Sequence, residues 1–223
     1  APTFYDIPIY DDQGNIIGTD SFQIHSTDPA TGQANSYTVT HYDTNGNVTG
    51  SEKIDIQSFD PATGQVNSYT VTHYDANGNI IDSQTIEVLS KTNSQSKTQR
   101  IISRSSTGKV LGIQDITVSY YADGKVHTQD TISYNPNDNP DNPTTIIDNQ
   151  SIEILTYDGD NPLKQRITTY SPNGASVISI QEVALTYYAE GHQYAGKVHT
   201  QNVISYNPNN PTLAIDNQSI EIT

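Results

Sequence analysis

"YTVTHYDANGNIIDSQTIEV", residues 69–88, reads as strand, tight turn, strand. Thr, Val, Ile and Tyr suit a pleated, half-buried surface, and Asn-Gly between two such runs is the strongest short hairpin signal. The same hairpin stands 32 residues earlier as "YTVTHYDTNGNVTGSEKIDI", residues 37–56. Tyr10-Asp11, Tyr42-Asp43 and Tyr74-Asp75 keep that step, as do Gly14, Gly46 and Gly78. A second turn falls between them, "DPATGQ" at 28–33 and again at 60–65. There Asp-Pro opens a type I turn and Gly takes the left-handed position that closes it. The repeating unit is two strands and two turns.

After Leu89 the wording changes and the spacing persists. "GKVHTQDTISY" at 124–134 takes the place of "GQVNSYTVTHY" at 64–74, and "IIDNQSIEI" at 146–154 that of "IIDSQTIEV". The short Asn-Gly turn has grown into "PNDNPDNPTT". The last third repeats this paraphrase and ends on "IDNQSIEI" at 215–222. Two repeat regions result, 1–90 in 32-residue units and 91–223 as two copies, 91–155 and 156–223, in one continuous array. Runs between turns predict about fourteen strands and no segment of helical period. Consecutive hairpins give an antiparallel meander. In "IIDSQTIEVL" apolar residues gather at both ends around a polar middle, so the pattern points to a thin or single-layer extended sheet, curled or in two sub-sheets, rather than a sandwich. A hairpin cannot bury its own faces, but repeated hairpins supply one another's hydrogen bonds and cross-strand pairs.

Composition agrees with a thin core. Hydrophobic residues make up 33% of 223, the net charge is -15, and charged residues are only 16%. The acidic balance speaks against nucleic acid and anionic membrane as partners, since both select basic surfaces. No apolar run approaches the ~18 residues of a spanning helix, and strands centred on "DSQT" and "DNQS" lack the apolar outer band of a membrane barrel, so no membrane insertion is expected. With Cys 0 there is neither a disulfide framework nor a thiolate site. Met 0 and a start at Ala1-Pro2 give the expectation of a processed, secreted protein, extracellular or at the cell surface.

Chemistry-bearing residues recur rather than stand alone. The turns "DTNGN" and "DANGN" place Asp43, Asn45 and Asn47, and Asp75, Asn77 and Asn79, at the alternate positions that open a calcium loop. The bidentate Glu that completes an EF-hand is absent, Ile54 standing in its place, so turn closure competes with weak calcium binding as the reason for these residues. No other cofactor is indicated. His41 and His73 share one repeat position and His127 and His199 another, leaving His25 and His192 unmatched. A catalytic base is needed once, in a pocket with an orienting partner, so repeated histidines read as ladder residues. No catalytic residues are assigned and the chain is read as a non-enzyme. Tyr42, Tyr74, Tyr134 and Tyr206 hold one repeat position, while Tyr120-Tyr121 and Tyr187-Tyr188 form doublets. Rows of such rings serve cross-strand packing or a sugar-binding surface. Asn47, Asn149 and Asn217 head glycosylation sequons.

The thrice-written Tyr-Asp-x-x-Gly-Asn at 10–15, 42–47 and 74–79 resembles the YD repeats of bacterial cell-surface and toxin-shell proteins. The resemblance covers roughly the first ~90 residues, and implies a hairpin array at a surface. It assigns no binding residue and no activity.

An open meander leaves a row of unpaired backbone groups on its first and last strands. Phe4, Ile7 and Ile9 near one terminus, and Ile215, Ile220 and Ile222 near the other, are therefore the expected self-assembly edges. The expected function is that of a secreted structural subunit of an extracellular fibre, sheath or matrix, growing head-to-tail as a homopolymer. The alternative is a surface adhesin or lectin-like module that binds glycans.

Overall fold

The structure, a computed structural model, describes residues 3–11, 13–29, 31–60, 62–92, 96–189 and 194–222. Its strands are β1 (Thr3–Tyr10), β2 (Ile16–Thr27), β3 (Ala34–Tyr42), β4 (Val48–Phe59), β5 (Val66–Asp75), β6 (Ile80–Thr92) and β7 (Ser96–Ser105), followed by β8 (Val110–Tyr120), β9 (Val126–Tyr134), β10 (Ile146–Asp158), β11 (Asn161–Tyr170), β12 (Val177–Tyr187), β13 (Val198–Asn207) and β14 (Asn210–Glu221). They form one antiparallel sheet whose order follows the chain, with β1 and β14 at its two ends. The expected fourteen-strand meander is what the chain forms, the sheet does not close, and the described residues contain no helix. Contacts divide the chain into two compact units, Ala1–Val88 with Arg100–Ile113, and Leu89–Gln99 with Gln114–Thr223.

In the first unit the two faces differ in chemistry. Phe22 faces Val39, Ile54 faces Val71 and Tyr69 faces Ile86 across successive strands. Paired residues share a face, and here Val39, Ile54 and Ile86 are buried. Tyr5 extends this face onto β1, its ring stacked on Phe22 at 4.8 Å. The opposite face carries Gln23, Thr38, Lys53, Thr72 and Ser83 in one row. The "TVTHY" of β3 and β5 thus alternates in strict period two, with Val and His on one side and Thr on the other.

The even strands break period two for a physical reason. Tyr74 faces Ile80 while His73 faces Asp82, which leaves Ile81 as an extra residue. Such a bulge shifts the side-chain phase, so Ile80 shares the face of Tyr74 and Asp82 that of His73. The same bulge recurs at Ile17, Thr49, Ile147, Ile178 and Ile215. All five isoleucines in this position are more than half exposed.

In the second unit Ile154, Ile180 and Val183 are buried, and one face also carries a ladder of charge. Glu153 faces Arg166, which faces Glu182. Glu182 is only 9% exposed, and its carboxylate accepts from Arg166 Nη2 at 2.6 Å, Lys164 Nζ at 2.6 Å and the Tyr206 hydroxyl at 3.3 Å. Burial pushes the Glu182 carboxyl up, but the hydrogen bonds from Lys164 and Arg166 together hold it below the ordinary range. Tyrosine hydroxyls tie strands together across a longer span. Tyr121 donates to Ile154 O, Tyr157 to Val126 O and Tyr188 to Ile222 O, each at 2.6 Å. This gives each ring's polar tip the partner that a half-buried tyrosine needs.

Candidate functional site

The two terminal strands are built alike in one respect, namely that each has a sheet neighbour on one side only. Phe4, Ile7, Ile9, Ile215, Ile220 and Ile222 are between 37% and 62% exposed, and β14 is exposed at every residue from Asn210 to Glu221. On β1, Ile7 faces Asp20 and Ile9 faces Gly18, so both lie on the same face as the Tyr5–Phe22 stack. Phe4 points to the other face, paired with Gln23. On β14, Ile220 faces Gln201, Ile222 donates its N–H to His199 O at 2.8 Å, and Ile215 is the bulge residue. The apolar residues of each edge therefore do not form one stripe. Ile7 and Ile9 align on one strand face, as do Ile220 and Ile222.

The backbone of β14 shows which groups look outward. Antiparallel pairs alternate between bonded and non-bonded, and the Ile222–His199 bond fixes the phase. Gln218 and Ile220 bond inward to β13, whereas Asn217, Ser219 and Glu221 direct N–H and C=O out of the sheet. By the same alternation the outward positions of β1 are Asp6, Pro8 and Tyr10. Proline in a strand is tolerated where no ladder N–H is required, and Pro8 sits at such a position.

The Asp turns are closed by their own residues. The Asp43 carboxylate accepts from Asn45 N at 2.9 Å, Asn47 N at 2.8 Å and Asn47 Nδ2 at 2.9 Å. Asp75 does the same with Asn77 N, Asn79 N and Asn79 Nδ2 at 2.9, 2.8 and 3.0 Å. The side-chain amides of Asn47 and Asn79, with the backbone N–H groups, hold these two carboxyls below the usual range, as Asn15 does for Asp11. Asn45 and Asn77 contribute less, through their backbone N–H groups first and then their side chains. Among the described residues no group of three or more His, Asp or Glu side chains is placed to hold a metal ion.

Histidines act across strands. His41 Nδ1 lies 2.7 Å from Asp20 Oδ1 and His73 Nδ1 2.5 Å from Asp82 Oδ1, with Glu52 Oε1 between their Nε2 atoms at 3.9 and 3.8 Å. His127 and His199 each pack on a tyrosine, Tyr121 at 4.3 Å and Tyr188 at 4.4 Å, and face Glu153 and Glu221 at 3.7 and 3.2 Å. His25 Nε2 is 2.7 Å from Thr38 Oγ1. His192 lies outside the described residues. The Glu182 cluster was not singled out by sequence reasoning. Its signal was Lys164-x-Arg166, two cations on one face of one strand, in a chain with only 10 Lys and Arg.

No family model matches the chain, and no curated protein matches it. Among solved structures it is similar to a chain of the Photorhabdus luminescens Tc holotoxin pore, at 13% identity and a TM-score of 0.16, over 98% of this chain and 18% of that one.

Proposed function

We propose that the protein is a secreted structural subunit that assembles head-to-tail, β14 of one copy against β1 of the next, into an extracellular fibre, sheath or matrix. The observation that carries this is the pair of one-sided strands, with β14 exposed along its whole length. Edge strands of this kind recruit another chain unless a charge, a bulge or a cover prevents it. Because β1 and β14 are different surfaces, the contact is heterologous, and such a contact grows into an open filament when its rotation does not close into a ring. The Tyr-Asp turn signature, shared in kind with surface-located hairpin arrays, points the same way.

Magnitudes define the demands on such an edge. One added strand pair makes about 4–6 backbone hydrogen bonds worth ~0.5–1.5 kcal/mol each, against an association cost of ~4–15 kcal/mol. Isoleucine and aromatic contacts must supply the remainder, at ~1.5–3 kcal/mol for each side chain fully buried. Copies of net charge -15 also repel, so salt or divalent cations such as calcium promote growth. Size-exclusion chromatography followed by negative-stain electron microscopy, with and without millimolar calcium, tests this. Filaments that lengthen with protein concentration are expected, and monomers alone at high concentration with calcium present would overturn the proposal.

A glycan-binding module is the second reading. It is favoured by an open hollow of about 680 Å³ in the second unit, lined by Asp158, Asp160, Asn161, Tyr187 and Tyr188, polar groups and rings of the kind that take sugars. Saturable binding on a carbohydrate array by a protein that stays monomeric would select it.

A further inference from the structure

The strand pairs within the chain follow one register rule. In β2, Gly18 faces Ile9 across the bulged hairpin and the next residue, Thr19, faces Tyr42 of the following strand. In β4, Gly50 faces His41 and Ser51 faces Tyr74. In β10, Asp148 faces Ser133 and Asn149 faces Tyr170. In β12, Ser179 faces Thr169 and Ile180 faces Tyr206. In these four strands the residue after the bulge pair meets the last tyrosine of the next odd strand, whereas β6 is followed by β7, which contains no tyrosine. In β14 the bulge pair is Asp216 with Ser205, so the position that seeks a tyrosine is Asn217. In β1 the tyrosine in that place is Tyr10, followed by its Asp11 turn as Tyr42 and Tyr74 are by theirs.

We infer that β1 of a second copy adds to β14 in the chain's own register, Asn217 facing Tyr10, Gln218 facing Ile9, Ser219 facing Pro8, Ile220 facing Ile7, Glu221 facing Asp6 and Ile222 facing Tyr5. This rests on the edge-pairing reading above and specifies its register. The pairs reproduce chemistry already present inside the molecule. Ile222 against Tyr5 repeats Ile24 against Tyr37 and Ile56 against Tyr69. Ile220 against Ile7 repeats the apolar pairs Phe22–Val39 and Ile54–Val71. A one-residue slip sends every side chain to the wrong face. A two-residue slip keeps the apolar face but breaks the register rule, and is the competitor to exclude.

The same register identifies what keeps this joint weak. Its bonded pairs are Asn217–Tyr10, Ser219–Pro8 and Glu221–Asp6, so Pro8 withholds one hydrogen bond. Asp6 and Glu221 set two carboxylates directly opposite each other, which disfavours pairing. His199 Nε2, 3.2 Å from Glu221 Oε1, faces one of them.

Cysteine cross-linking between two differently tagged copies tests the register, and with Cys 0 there is no background thiol. Non-bonded antiparallel pairs bring Cα atoms to about 4.5 Å, within disulfide reach. Gln218→Cys mixed with Ile9→Cys, and separately Ile220→Cys with Ile7→Cys, should link under a mild oxidant about tenfold faster than the slipped mixture of Gln218→Cys with Ile7→Cys. Adding Asp6→Asn to the β1 partner should raise the yield further. Faster linking of the slipped mixture would overturn the register while leaving edge assembly in place. Filaments without any of these links would overturn both, and absence of any oligomer by microscopy is the separate failure of the proposed function. Circular dichroism of each variant confirms that the monomer has kept its fold.

Discussion

At the residue scale the Tyr-Asp turns are the most constrained part of the chain. Gly78 sits at φ 81° and Gly46 at φ 79°, the left-handed region that a side chain enters at a cost. Gly78→Ala should destabilise the first unit by about 1–2 kcal/mol, read as a shift in the urea unfolding midpoint, and no shift would mean the turn is free to re-form in another geometry. Asp11, Asp43 and Asp75 have depressed carboxyl pKa values, each led by the side-chain amide of its Asn. A lowered folded-state pKa stabilises above the unfolded value and loses that contribution as pH falls through the folded one. Acid titration of stability should therefore erode below pH 3.8, the ordinary aspartate value, and Asp75→Ala should flatten that limb. These turns were legible because Asn-Gly allows few backbone choices. The part of each Asp in closing its turn was legible too, but the leading part of the Asn47 and Asn79 side-chain amides was not, since Asp-x-Asn does not show which way the amide nitrogens point.

At the element scale, the hairpins were legible and the bulges were not. "YTVTHY" has period two in letters and in space. "IIDSQTIEV" does not, because the extra Ile81 moves the phase after the first residue, and the isoleucine that fills most of these bulges is equally at home in an ordinary strand position, so it does not mark a bulge as Gly marks a turn. The same holds for Glu182, one of 25 acidic residues in the sequence, whose burial between Lys164, Arg166 and Tyr206 follows from strand register alone. Removing it leaves two cations side by side on one face of β11 without their shared partner. Glu182→Ala should lower the stability of the second unit by about 1–3 kcal/mol. Lys164 and Arg166 remain half-exposed to water, so the loss stays below the ~3–5 kcal/mol of a fully buried pair. Thermal unfolding measures it, and a variant as stable as the parent would show that the cluster is a surface ladder with no net effect.

At the scale of the whole molecule, repetition explains both the fold and the expected behaviour. A strand such as β5 has neighbours on both sides to satisfy its backbone and to cover Val71 and Tyr69. β1 and β14 carry the same kind of sequence with half of those partners. In the proposed assembly one copy completes the other by extending a single sheet. In that case strands stack along the direction of growth at the 4.7–4.9 Å spacing between hydrogen-bonded neighbours. X-ray diffraction from aligned filaments measures this directly. Growth by strand addition places this reflection on the meridian, along the filament axis; the same spacing on the equator, or filaments that lack it, would contradict assembly through β1 and β14.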